Sequence, residues 1–279
     1  MRSFRSYVMI ARPQHMLLAA LTTWVAAMLS NGPHWFTTAK VVAPTIMAFS
    51  VFGASLFHFG AANQMYTRKS ESLAVRDPAL LDGLFFGGIA SILTAIAITF
   101  TYLNETCRVI VVADATIILA YPNLLSRHWF SKNSLIAFVC VSPILIGWLA
   151  GSHQHSSIPY GIGMAFFSFL AREIVKDVQD RKANHGYRWT LPLWLGVIPA
   201  RRIAGACMLP SLVVAGGFGA TLPRYHWYVA VPYCLAVAYS LIATHALFFV
   251  SNGREKKESE WILMGNACMV ATFFLLIFP

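Results

Sequence analysis

Apolar residues occur along the chain in blocks of about 20, separated by short polar segments. As a helix, a block of this length crosses the hydrocarbon core of a bilayer. The blocks are continuous runs, whereas the strands of a transmembrane barrel alternate apolar and polar residues. We therefore predict an all-α, multi-pass membrane protein with nine transmembrane helices. The predicted spans are His15–Ser30, Val41–Ala62, Gly83–Leu103, Val109–Leu125, Leu135–Ala150, Tyr160–Val178, Ile203–Thr221, Tyr228–Val250 and Trp261–Phe278.

The composition agrees with a membrane protein. Of the 279 residues, 57% are hydrophobic and 11% are charged, whereas soluble domains have about 25% charged residues. We treat residues 1–279 as a single transmembrane domain. The five cysteines include no CxxC pair, so we expect free thiols packed in the core. The first span lacks the short apolar region and cleavage site of a signal peptide, and we expect none to be removed.

The basic residues predict the orientation of the chain. Of the 21 Lys and Arg residues, 18 fall in the amino-terminal segment and in the segments after every second span, while Lys40, Arg108 and Arg224 fall on the other side. By the positive-inside tendency, the amino terminus and the long loops are cytoplasmic and the carboxyl terminus is outside. The net charge of +10 then reflects topology and attraction for anionic head groups or substrates, and we predict no nucleic-acid partner.

Two polar segments on the predicted cytoplasmic side contain five of the 11 acidic residues. The first station (residues 63–78) continues span 2 and would place Asn63, Thr67 and Glu71 on one helical face. The second station (residues 172–184) continues span 6. Its acidic and amide residues share one helical face, namely Glu173, Asp177, Asp180 and Asn184. The basic residues Arg172 and Lys176 lie beside that face.

This chemistry suits a metal bound to a phosphate-containing substrate. Mg²⁺ takes one or two carboxylates and completes its shell with water and phosphate oxygens, and adjacent Lys and Arg bind the phosphates themselves. The alternative is a solvated face stabilised by ion pairs within each helix. Both interpretations stay open on spacing alone.

Several motifs together resemble the UbiA-type intramembrane prenyltransferase superfamily, over the whole chain. They are Ala11-Arg12-Pro13, the station led by Asn63, Tyr121-Pro122, the run Arg172-Glu173-Ile-Val-Lys176-Asp177-Val-Gln-Asp180, then Gly186, Thr190-Leu191-Pro192 and Gly196. The second station is most similar to geranylgeranylglyceryl phosphate geranylgeranyltransferases. The resemblance implies a nine-helix bundle around a central cavity, in which Mg²⁺ held by two aspartate-rich motifs assists ionisation of an isoprenyl diphosphate.

The resemblance also implies roles for individual residues. The implied metal ligands are Asn63, Glu71, Asp177, Asp180 and Asn184. By the resemblance, Lys176 and Arg172 would contact the diphosphate, and Tyr121 and Arg127 lie where the family often has a Tyr and a basic residue near the phosphates. We add four candidate substrate-binding residues, His58, Asn63, Thr67 and Arg68, and one candidate catalytic residue, Asp114. Asp114, inside span 4, either orients the acceptor or stabilises a carbocation, or it pairs with a polar neighbour. His58 either contacts substrate or packs through a hydrogen bond.

The first station departs from the family pattern, because Gln64, Thr67 and Glu71 stand where the family has three aspartates. Either Glu71 or Asp77 supplies the missing charge, or one Mg²⁺ is held more weakly, or the substrate differs. The leading function is transfer of an isoprenyl group to a hydrophobic acceptor, either an aromatic ring or a glycerol-phosphate lipid. The alternatives are a terpene cyclase and a non-catalytic lipid-binding or transport protein on the same fold.

Overall fold

The computed structural model describes residues 13–31, 39–66, 78–121, 128–152, 155–186, 188–222, 225–250 and 255–277. These residues form nine helices of 16 to 28 residues and two helices of four residues. The helices are α1 (Pro13–Asn31), α2 (Ala39–Tyr66), α3 (Pro78–Tyr102), α4 (Glu105–Ala120), α5 (Trp129–Leu149), α6 (Ile158–Gln179), α7 (Arg181–Asn184), α8 (Leu191–Trp194), α9 (Val197–Gly219), α10 (Trp227–Phe249) and α11 (Glu255–Leu275).

The all-α prediction is confirmed, and each predicted span overlaps one long helix. In the part of the chain that the structure describes, five helical segments are long and apolar enough to cross a membrane. They are Phe85–Tyr102, Trp129–Leu149, Ile158–Gln179, Val197–Gly219 and Trp227–Phe249. The count of nine crossings stays a prediction.

The helices divide into two compact units. Unit 1 comprises Met1–Leu125 and Ser142–Gln154, and unit 2 comprises Ser126–Val141 and His155–Pro279. In unit 1, α2 packs against α1, α3 and α4 around a core that includes Met47, Val111 and Ile118. In unit 2, α9 and α11 both pack against α6 and α10, and the core includes Ile174, Met208, Leu247 and Ile262. The assignment of one domain to the whole chain stays a prediction.

Three helices begin six residues before the predicted spans: α5 at Trp129, α9 at Val197 and α11 at Glu255. Their first two turns contain polar residues that a search for apolar runs assigns to loops. Acidic residues are favourable in a first turn because of the helix dipole, as with Glu255 in α11. Gly196, which precedes α9, has a φ of +92°, a conformation that glycine adopts without steric cost.

All five cysteines lie in described helices and none of them forms a disulfide there, as predicted. Cys107 is buried, and Cys234 is exposed. Core packing is therefore wrong as a description of Cys234, because apolar helices of a membrane protein also carry side chains on their outer, lipid-facing surface.

Candidate active site

The second station begins on α6 and ends on α7. The α-helix is interrupted at Asp180, where φ is −89° and ψ is 11°, so the expectation of one continuous helix through Asn184 is wrong in this detail. Two backbone hydrogen bonds around this point still join residues four positions apart, as in an α-helix. The Asp180 N–H donates to the Lys176 carbonyl and the Asn184 N–H donates to the Asp180 carbonyl, both at 2.9 Å. The polar side chains therefore keep nearly helical spacing beyond the end of α6.

Glu173 pairs with the two predicted phosphate-binding residues. Lys176 Nζ donates to Glu173 Oε1 at 2.6 Å, and Arg172 Nη1 lies 3.7 Å from the same oxygen. The Glu173 side chain is buried, whereas the Lys176 side chain is 33% exposed. The carboxylate thus holds both cations at the last turns of α6 while leaving the lysine access to solvent.

Asp177 is bound by two side chains from the first turn of α5. Lys132 Nζ donates to Asp177 Oδ1 at 2.5 Å, and Asn133 Nδ2 donates to Asp177 Oδ2 at 3.1 Å. Lys132 Nζ also donates to Asn133 Oδ1 at 3.0 Å. Asp177 is buried at 2% exposure and Lys132 at 5%. These contacts link α5 to the second station within unit 2.

Asp180 and Asn184 differ in accessibility. Asp180 is exposed and Asn184 is buried, and the Asp180 carboxylate makes no hydrogen bond to the residues that the structure describes. The Asp180 carboxyl group is partly desolvated by the surrounding protein, and this desolvation raises the pKa of Asp180 above its usual range. Lys176 and Lys132 lower that pKa, and the nearby Asp177 and Glu173 raise it further. Asp180 is therefore the station's solvent-accessible carboxylate.

The station's oxygen donors fit Mg²⁺. Among the residues described, no three His, Cys, Asp or Glu side chains converge as a metal cluster. Mg²⁺ does not require such a cluster, since one or two carboxylates with water and phosphate oxygens complete its shell. An accessible carboxylate at Asp180, which interacts with the charge of Lys176, is suitable for a metal that arrives with a diphosphate.

Other predicted residues fall in different places. His58 and Asn63 lie in the carboxyl-terminal part of α2, where the structure describes the backbone. Tyr121 is buried at the end of α4, and its N–H donates to the Ile117 carbonyl. Four predicted residues lie outside the described residues: Thr67, Arg68, Glu71 and Arg127. Their roles stay predictions.

Asp114 has a polar partner within unit 1. It is fully buried in α4, and its Oδ2 accepts a hydrogen bond of 2.5 Å from the Ser142 hydroxyl on α5. Its Oδ1 has no hydrogen-bond partner among the described residues. The contact favours the alternative in which Asp114 pairs with a neighbouring helix over a role in orienting the acceptor.

We expect Asp114→Asn to leave both stability and turnover close to wild type, because an amide oxygen accepts the same hydrogen bond from Ser142. Asp114→Ala removes the acceptor and is expected to lower the free energy of unfolding by about 1–3 kcal/mol. Thermal unfolding in detergent and turnover rates measure the two effects. A large loss of turnover in a fully stable Asp114→Asn protein would instead show that the carboxylate acts in catalysis.

The two partners of Asp177 are not among the site residues predicted from the sequence. Lys132 and Asn133 stand together at the start of an apolar block in a chain with few charges, which is the only signal the sequence offers for them. A second set of contacts holds this end of α5. Residues 128 and 189 form a parallel β-bridge, and the rings of His128 and Trp189 pack edge to face with their centroids 4.4 Å apart. The start of α5 is thus fixed beside the second station.

Comparison with known proteins identifies the family of the chain. A model of the UbiA prenyltransferase family matches residues 19–269. Digeranylgeranylglyceryl phosphate synthase from Methanoregula boonei is 25% identical over 232 residues, which cover 81% of this chain and 80% of that protein. Relatives from five other organisms have the same name.

Solved structures share the fold. A structure of digeranylgeranylglyceryl phosphate synthase has a TM-score of 0.76 at 14% identity, covering 99% of this chain and 98% of that one. A UbiA homologue from Archaeoglobus fulgidus, bound to GPP and Mg²⁺, has a TM-score of 0.71 at 17% identity and covers 98% and 99%. Since the family match spans most of the sequence, the chain belongs to the UbiA prenyltransferase family and is a membrane-embedded enzyme of the prenyltransferase class.

Proposed function

We propose that this enzyme transfers an isoprenyl group from its diphosphate to a glycerol-phosphate lipid, with Mg²⁺ as cofactor. The observation that carries the proposal is the charged cluster at the end of α6, where Lys176 and Arg172 pair with Glu173 and the exposed Asp180 lies close enough to Lys176 to interact with its charge. The glycerol-phosphate acceptor is preferred to an aromatic one because the relatives are named as digeranylgeranylglyceryl phosphate synthases. The Archaeoglobus fulgidus homologues bind GPP or DMAPP together with Mg²⁺, which supports the donor and the cofactor.

We assign the metal ligands by motif. Asp177, Asp180 and Asn184 are the proposed ligands of the second station, and Asn63 and Glu71 those of the first. Bound Mg²⁺ would supply positive charge to neutralise the leaving diphosphate. The site is proposed to face the cytoplasm, as the distribution of Lys and Arg predicts.

The second station's cations bind and orient the donor. Lys176 and Arg172 offer N–H groups to the diphosphate oxygens, and their pairing with Glu173 keeps them at the end of α6 before substrate arrives. The allylic C1–O bond breaks with its electron pair leaving on the diphosphate. The acceptor hydroxyl oxygen then bonds to C1, and its proton passes to water. Preorganised cations stabilise the charge that develops on the departing diphosphate.

The product formed in membranes tests the proposal. Membranes containing the protein are incubated with Mg²⁺, labelled geranylgeranyl diphosphate and geranylgeranylglyceryl phosphate, and the lipids are analysed by mass spectrometry. We expect an acceptor heavier by one geranylgeranyl group, formed with one equivalent of pyrophosphate. Membranes without the protein are the control.

Other outcomes identify the alternatives. Product formed only with a phenolic acceptor would replace the lipid acceptor with an aromatic one. Pyrophosphate released without any acceptor, together with a cyclic hydrocarbon, would indicate a cyclase. No release with prenyl diphosphates of any length would indicate a non-catalytic lipid-binding protein.

A further inference from the structure

Lys132 is a buried cation in a chain where charge is scarce. Its side chain is 6% exposed, and that of its partner Asp177 is 2% exposed. Burial of two charges is unfavourable unless good geometry and further hydrogen bonds compensate for the lost water. The short contact between Lys132 and Asp177, with Asn133 bonded to both, meets that condition.

The three side chains form a closed network around the Asp177 carboxylate. One carboxylate oxygen accepts from the ammonium of Lys132 and the other from the amide of Asn133. Both donors stand in the first turn of α5, which the bridge between His128 and Trp189 holds in place. Without metal, the Asp177 carboxylate is therefore fully oriented by donors belonging to α5.

A divalent cation bound to Asp177 would meet this ammonium. Mg²⁺ binds a carboxylate oxygen at about 2.0–2.1 Å, and Lys132 Nζ lies 2.5 Å from Asp177 Oδ1. At such separations the two positive charges repel strongly, because a buried site has little water to screen them. The two cations therefore weaken each other's binding to the same carboxylate.

We propose that Lys132 is a tethered cation that competes with divalent metal for Asp177. It keeps the carboxylate oriented in the metal-free enzyme, and it moves away from the carboxylate when metal binds. Lys132 thus weakens the affinity for metal and sets the metal concentration that the enzyme requires. The inference rests on the proposed function only in taking Asp177 as a metal ligand.

Direct metal titration tests this role without any prenyl substrate. Mn²⁺ binding to purified protein in detergent is followed by electron paramagnetic resonance, which counts free and bound ion. We expect Lys132→Met to bind Mn²⁺ at least about 10-fold more tightly than wild type, because the competing charge is gone. The double variant Lys132→Met with Asp177→Asn should lose this increase in Mn²⁺ affinity, because the increase depends on the Asp177 carboxylate.

Lys182→Gln is the matched control. Lys182 is an exposed residue of the second station on α7, so its replacement deletes one positive charge from the station without touching Asp177, and Mn²⁺ affinity should stay close to wild type. If Lys132→Met does not fold without metal, Lys132→Gln provides the same test, because its amide still donates to Asp177 without carrying charge. Affinity equal to or weaker than wild type in the folded variant would overturn the inference.

The metal titration and the product assay fail independently. A tighter Mn²⁺ site in Lys132→Met, with no prenyl transfer by the wild type, would leave the inference standing and refute the proposed reaction. Normal prenyl transfer with unchanged Mn²⁺ affinity in Lys132→Met would do the reverse.

Discussion

Asp180→Asn is expected to lower prenyl-transfer turnover by on the order of 100-fold or more while the protein stays folded. The variant removes the charge of the station's accessible carboxylate and keeps the shape of the side chain. Asp180 makes no side-chain cap for α7 and no hydrogen bond to the described residues, so its replacement removes no hydrogen bond among them. The melting temperature should stay within about 2 °C of wild type.

Turnover with geranylgeranyl diphosphate, measured over a range of Mg²⁺ concentrations, gives the result. If Asp180 is a metal ligand, higher Mg²⁺ should recover part of the lost activity, because weaker binding is offset by mass action. Glu260→Gln is the control, since Glu260 is an exposed acid on α11 outside the station. Full turnover in Asp180→Asn, or an equal loss of turnover in Glu260→Gln, would show that Asp180 is not a metal ligand.

Asp177 is a less direct test of the same site. Its replacement leaves Lys132 buried without a counter-ion, and an uncompensated buried charge is strongly destabilising. A loss of activity in Asp177→Ala would therefore combine a change in metal binding with a change in folding. The exposure of Asp180 separates these two effects.

The long helices were predictable because a bilayer imposes one requirement on every span. A continuous apolar run of sufficient length identifies a helix whatever its neighbours are. The residues at which helices begin were less predictable, because a search for continuous apolar runs assigns polar residues near a helix start to the preceding loop. Lys132 and Arg201 are both helical residues that the apolar pattern leaves outside the spans.

Contacts inside the station were predictable only within one helix. The spacing of Glu173 and Lys176 places them one turn apart, and the structure pairs them at 2.6 Å. Lys132 and Asp177 are 45 residues apart, and helical periodicity reports only neighbours three or four positions away. Partners on different helices depend on tertiary packing, which a single sequence does not encode as a local pattern.

Glu258→Ala is expected to lower the free energy of unfolding by about 3–5 kcal/mol, because it leaves a buried guanidinium without its counter-ion. Glu258 on α11 is fully buried and pairs with Arg201 on α9, whose side chain is 3% exposed. Arg201 Nη2 also donates to the Ala246 carbonyl of α10 at 3.2 Å. The pair therefore joins three helices of unit 2. From the sequence, Arg201 was predicted to be one of the basic residues of a cytoplasmic loop.

The double variant Arg201→Met with Glu258→Met distinguishes the buried pair from simple loss of packing. Replacing both charges with apolar side chains of similar length removes the need to desolvate either, so the double variant should regain most of the stability that Glu258→Ala loses. Thermal unfolding in detergent compares these proteins with Glu260→Ala, an exposed acid on the same helix whose change should be close to silent. A double variant as unstable as Glu258→Ala would mean that packing around these positions, rather than the uncompensated charge, determines the loss.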